Sequence, residues 1–112
     1  MTPTKKITDA EIKSLADEIK KFLIDREMWS DTRIYFSGMA YDSETEEVLH
    51  GLDPNDYTEY AGDILTMTFE GPLYDALNYG PWSTEEKLQA IFNKYGLYFE
   101  MGHAWDLTAY PN

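Results

Sequence analysis

The sequence predicts an α+β fold: an antiparallel sheet of four to five strands, with an N-terminal helix and two further helices packed on one face. Three observations predict it. An amphipathic stretch opens the chain. Segments of alternating, β-branched and aromatic residues follow. Two short capped helical runs then lead into a closing hairpin. With 112 residues, 43% hydrophobic and 15% aromatic, residues 1–112 form a single domain with enough apolar material for a core.

Residues 8–27 place Ile12, Leu15, Ala16, Ile19, Phe22 and Leu23 at helical spacing. Thr8 with Glu11 fits a capping box, and Asp9 suits the positive end of the helix dipole. Residues 32–41, TRIYFSGMAY, predict one strand, in which Gly38 marks a bulge or a close contact. The segment DSETEEVLHG starts as an acidic turn, and Val48 and Leu49 begin a short return strand. Residues 53–62 read as a loop in which Asp53 caps one helical turn opened by Pro54.

In residues 63–70, Leu65, Met67 and Phe69 face one side, and Ile64, Thr66 and Thr68 the other. Gly71-Pro72 ends that strand, and Pro72 opens a short helix, PLYDALNYG, closed by Gly80. Ser83 and Glu86 fit a second capping box ahead of a helix with Leu88, Ile91, Phe92 and Tyr95 on one face, stopped at Gly96. LYFEM, a turn at Gly102-His103 and AWDLTAY make the hairpin. Residues 1–6 and 111–112 are expected to be loose.

The formal net charge is -12, and its distribution is more informative than its size. From Ile34 to Glu86 there is no Lys or Arg, yet twelve Asp and Glu fall there. Elsewhere acids and bases balance, so the whole excess lies in the middle. A surface serving solubility alone mixes signs. Excluding every base across half the chain adds self-repulsion, which argues for a use.

Several function classes are disfavoured. A polyanion repels nucleic acid and anionic membranes, so neither is expected as a direct partner. Absent cysteine removes disulfides and thiolate chemistry and points to a reducing cytoplasm. No apolar run is long enough to span a bilayer, and the N-terminus lacks a secretory signal's apolar core. Catalysis is poorly supplied: Ser83 is assigned to capping, Ser14 sits mid-helix, and His50 and His103 lie far apart in sequence. The loop DPNDYTEYAGD departs from the EF-hand pattern. No cofactor, metal or enzymatic activity is expected.

Binding is better supported. Tyrosines lie among the acids, and carboxylates beside flat rings resemble a nucleic-acid strand chemically. The expected partner-binding residues are Asp42, Glu44, Glu46, Glu47, Asp53, Asp56, Tyr57, Glu59, Tyr60 and Asp63. The expected partner is a basic protein surface. LYFEMGHAWDL as an exposed edge hairpin also leaves a homodimer open.

The run FEGPLYDALNYG and then IFNKYGLYFEMGHAWDLTAY, within residues 69–110, resembles small acidic proteins carried on plasmids, phages and integrative elements of Gram-positive bacteria. In that setting the chain is similar to type II-A anti-CRISPR proteins, inhibitors of the RNA-guided CRISPR nuclease. The resemblance implies a bacterial host cytoplasm and a CRISPR effector nuclease as the partner, blocked at guide RNA loading or DNA binding. It assigns no residue. Two alternatives stand beside it: a small nuclease acting on guide RNA through His50 or His103, and an immunity-type protein for another basic partner.

Overall fold

The computed structural model describes residues 7–45 and 47–112. Helix α1 (Asp9–Asp25) is followed by strands β1 (Thr32–Phe36), β2 (Met39–Asp42) and β3 (Val48–His50). A single 3-10 turn (Pro54–Asp56) leads to β4 (Leu65–Phe69), helices α2 (Pro72–Tyr79) and α3 (Trp82–Asn93), and strands β5 (Leu97–Met101) and β6 (Asp106–Pro111). All strands join one antiparallel sheet in the order β3-β2-β1-β4-β6-β5. The fold is α+β, as expected, but the sheet has six strands rather than four or five.

The extra strand comes from residues 32–41, which form a hairpin and not one strand. Ser37 and Gly38 take φ of 49° and 75°. Left-handed backbone at both central residues matches the twist of the flanking strands, so a two-residue turn reverses the chain. Gly38 is therefore a turn residue, not a bulge.

The helices cover one face of the sheet. Ile12, Leu15, Ala16, Ile19 and Leu23 from α1, Leu73 and Leu77 from α2, and Leu88, Ile91 and Phe92 from α3 are buried against it. The sheet answers with Ile34, Phe36, Tyr41, Leu65, Met67, Phe69, Leu97, Phe99, Leu107 and Ala109, alternate residues of their strands. Full burial of one such side chain contributes roughly 1.5–3 kcal/mol. The predicted alternation of β4 holds, with Leu65, Met67 and Phe69 on the helix side.

Capping follows expectation at α1 and differs at α3. Thr8 and Glu11 form the reciprocal capping box. Asp53 accepts from the Asn55 N–H and caps the 3-10 turn. At α3 the N-cap is Pro81, with no side-chain cap bond, so the predicted Ser83–Glu86 box does not form. Proline fixes the entry angle, starts the helix two residues earlier and places Ser83 inside the first turn. At the C-terminus, Pro111 closes β6 and the Asn112 N–H donates to the Gly96 carbonyl at 2.9 Å; residues 1–6, the other end expected to be loose, lie outside the described residues.

Strand β5 is an edge, but its outward groups are not all free. The Gln89 side chain accepts from the Phe99 N–H at 2.7 Å and donates to the Phe99 carbonyl at 3.2 Å. A helix side chain thereby occupies the ladder position that a second strand would use.

Candidate functional site

The side chains that alternate away from the helices make a second, polar face. The register sets Arg33 between Asp42 and Thr68, and Thr68 beside Asp106. It sets Tyr35 beside Thr66, and Thr66 beside Thr108. Such a polar face would normally be wet, yet Thr66, Asp106 and Thr108 are buried.

They are buried because residues 53–62 cross this face as a strap. The Thr58 hydroxyl donates to Asp106. The Thr108 hydroxyl donates to the Tyr60 carbonyl at 2.6 Å, and the Gly62 N–H donates to the Thr66 hydroxyl at 3.2 Å. The Tyr57 ring stacks on Tyr35 at 5.4 Å. A Cβ on Gly62 would lie 2.7 Å from the Thr108 methyl, so the close approach requires glycine.

Asp106 anchors the strap from below. It is 0% exposed. Besides Thr58, its carboxylate accepts from the His103 backbone N–H at 2.5 Å and lies 3.0 Å from His103 Nδ1. Burial pushes this carboxyl up, but the bonds from Thr58 and His103 outweigh it and hold it below its ordinary value. An ionised carboxylate only accepts, so Nδ1 carries the hydrogen. The His103 ring lies between Trp105, stacked at 4.5 Å, and Tyr60, edge-on at 4.8 Å.

Beside the strap the polar face opens into a groove of about 460 Å³. Arg33, Tyr35 and Thr68 form its floor, and Tyr57 and Trp105 bound it. Asp31, Glu44 and Glu70, all exposed, complete the lining. Arg33 donates from Nε and Nη2 to Asp42 Oδ2 at 2.9 and 2.5 Å, and from Nη1 to the Tyr35 hydroxyl at 3.0 Å. Its guanidinium lies 5.6 Å from the Tyr35 ring and 5.3 Å from the Tyr57 ring. Burial disfavours the charged guanidinium, but the bonds to Asp42 and Tyr35 win and raise its pKa above the ordinary value. The Tyr35 phenol is pushed up by burial.

The predicted binding residues divide accordingly. Asp42 is 8% exposed and held by Arg33 and by the Glu44 N–H, so its charge is neutralised inside the fold rather than offered outward. Glu44 is exposed at the groove. Glu46 lies outside the described residues. Glu47 is exposed in the turn between β2 and β3. Asp53, Asp56, Glu59 and Asp63 are exposed along the strap and at its feet. Tyr57 and Tyr60 are 46% and 47% exposed while also packing on Tyr35 and His103. Asp75, Glu85 and Glu86 lie in the helical layer, away from this face.

The described bases go the other way. Lys13, Lys20 and Lys21 lie on α1 and Arg26 caps it; Lys87 lies on α3 and Lys94 caps it. Several are occupied there: Lys13 pairs with Asp17 at 2.9 Å, Lys21 with Asp25 at 3.5 Å, and Lys94 with Glu18. Lys20 lies 5.0 Å from the Tyr41 ring. Only Arg33 among the described bases lies in the sheet, and Asp42 holds it.

Asp31, Arg33, Ser43 and Trp105 escaped the sequence reading. Ser43 accepts from the Thr32 N–H at 3.0 Å and lines the groove. The missing signal was the Ser37-Gly38 turn, since counting outward from it pairs Phe36 with Met39 and then Arg33 with Asp42. Among the described residues no group of His, Asp and Glu is placed to hold a metal ion. None of the helices among them is long and apolar enough to cross a membrane. No protein-family model matches the chain, and comparison with curated proteins and with solved structures returns no match.

Proposed function

We propose that this protein acts by binding, presenting the acidic polar face of its sheet to the basic surface of a nucleic-acid-handling enzyme in the bacterial cytoplasm. The partner proposed is the RNA-guided CRISPR nuclease, blocked at guide RNA loading or DNA binding. The observation that supports this is the placement of the bases on one side of the sheet. The described bases other than Arg33 sit on the helical layer, where acids of that layer take up several. The exposed acids Glu44, Asp53, Asp56, Glu59, Asp63 and Glu70 flank the opposite face beside half-exposed tyrosines.

A face of that kind competes for a cationic groove by charge-assisted hydrogen bonds and by stacking. Phosphates and bases engage the same groove in the same two ways. His103 is held by Asp106 through Nδ1 and stacks on Trp105, which ties the β5–β6 turn to the strap. The test is a pull-down of the purified nuclease with and without guide RNA. Stoichiometric retention that excludes the guide or the target DNA is expected. Retention in neither state removes the proposal, and substoichiometric degradation of guide RNA replaces it with a nuclease reading.

A further inference from the structure

We propose that the groove between the strap and the β5–β6 turn is a binding site for a guanidinium group, an arginine side chain of the partner. This rests on the reading that the polar face meets a basic protein. The groove is concave and about 460 Å³, ample for one planar head group and its stem. Its lining suits a flat cation. Tyr57 and Trp105 supply flat rings on two separate segments, one on the strap and one in the turn. Tryptophan and tyrosine faces attract cations, most strongly when the cation is weakly hydrated and planar.

The carboxylates Asp31, Glu44 and Glu70 approach the same space from three different loops, and no ion pair uses them among the described residues. One face of Trp105 is covered by His103, and Tyr57 stacks on Tyr35 while remaining 46% exposed. Carboxylates without an internal cation, beside these partly exposed rings, form a receptor for an external one.

The groove also already holds one guanidinium. Arg33 is bound there by a carboxylate, a phenol hydroxyl and two tyrosine rings. Because Asp42 neutralises Arg33, the floor does not repel a second guanidinium. A lysine would bring a compact, strongly hydrated charge that uses the rings less well.

The test uses the full chain and three probe peptides, acetyl-Gly-Arg-Gly-amide and its lysine and citrulline counterparts, followed by amide and indole NMR signals. The arginine peptide is expected to move the signals of Thr32, Arg33, Thr68 and Trp105. The uncharged citrulline peptide, of nearly the same shape, is expected to bind about tenfold more weakly, and the lysine peptide about threefold more weakly. Glu44→Gln with Glu70→Gln, both exposed and in no ion pair among the described residues, should weaken the arginine peptide about tenfold. Glu85→Gln with Glu86→Gln on the helical layer should change nothing. Equal binding of the arginine and citrulline or lysine peptides overturns the assignment. So do shifts spread over the strap acids, or an unchanged affinity in the Glu44/Glu70 variant. The peptide assay contains no nuclease. A groove that binds arginine while the pull-down fails removes the partner, and a pull-down that succeeds with an inert groove removes this site alone.

Discussion

Asp106 shows how one buried carboxylate can hold a loop against a sheet. Its acceptor positions are filled by Thr58 of the strap and by His103 of the neighbouring turn. Asp106→Asn should therefore lower stability by about 1–3 kcal/mol in urea unfolding, because donors are left facing a donor. The pH dependence has a definite sign. A carboxyl held below its ordinary value when folded stabilises the native state above the unfolded pKa of about 3.9, and that contribution fades as pH falls through the lower folded value. Acid should thus weaken the wild type from about pH 4 downward. The Asp106→Asn chain should show a flatter acid limb in the same titration. Arg33 makes the complementary case. Arg33→Met leaves Asp42 buried without its partner and should cost about 2–4 kcal/mol, while adding Asp42→Leu should recover part of that loss.

At the scale of elements, the strap and the β5 edge each depend on one residue that periodicity does not reveal. Gly62→Val places a branched side chain where even a Cβ meets the Thr108 methyl at 2.7 Å. The strap should lift, costing about 1–3 kcal/mol, and the Tyr60 and Gly62 amides should lose protection in hydrogen exchange. Gln89→Ala frees the Phe99 N–H and carbonyl at the sheet edge. That variant should self-associate at concentrations where the wild type does not, read by analytical ultracentrifugation. Most elements were legible in the sequence because their signals are local: the stripe of α1, the alternation of β4, Pro72 opening α2, and Asp53 capping its own turn. The misreadings were local too. The Ser37-Gly38 turn hides inside a run of strand-forming residues, and Pro81 pre-empts the capping box at Ser83.

Across the whole molecule, the described bases other than Arg33 lie on the helices, several paired there, while exposed acids of the loops around β2–β4 flank the opposite face of the sheet. Reversing Asp56, Glu59 and Asp63 to Lys together should weaken retention of the nuclease by tenfold or more. The same reversal at Glu85 and Glu86 should leave it within about twofold. Raised salt should mimic the first change, since exposed charges are screened beyond about 8 Å at physiological ionic strength.

By itself the sequence determined the fold class, the helix faces and the location of the charge excess along the chain, because each depends on spacing between near neighbours. Only the tertiary structure decided that Asp42 is neutralised by Arg33 and that Glu44 and Glu70 meet Asp31, Tyr57 and Trp105 at one groove. Strand order and the path of the strap set those contacts. They join residues far apart in the chain, and no local period encodes them.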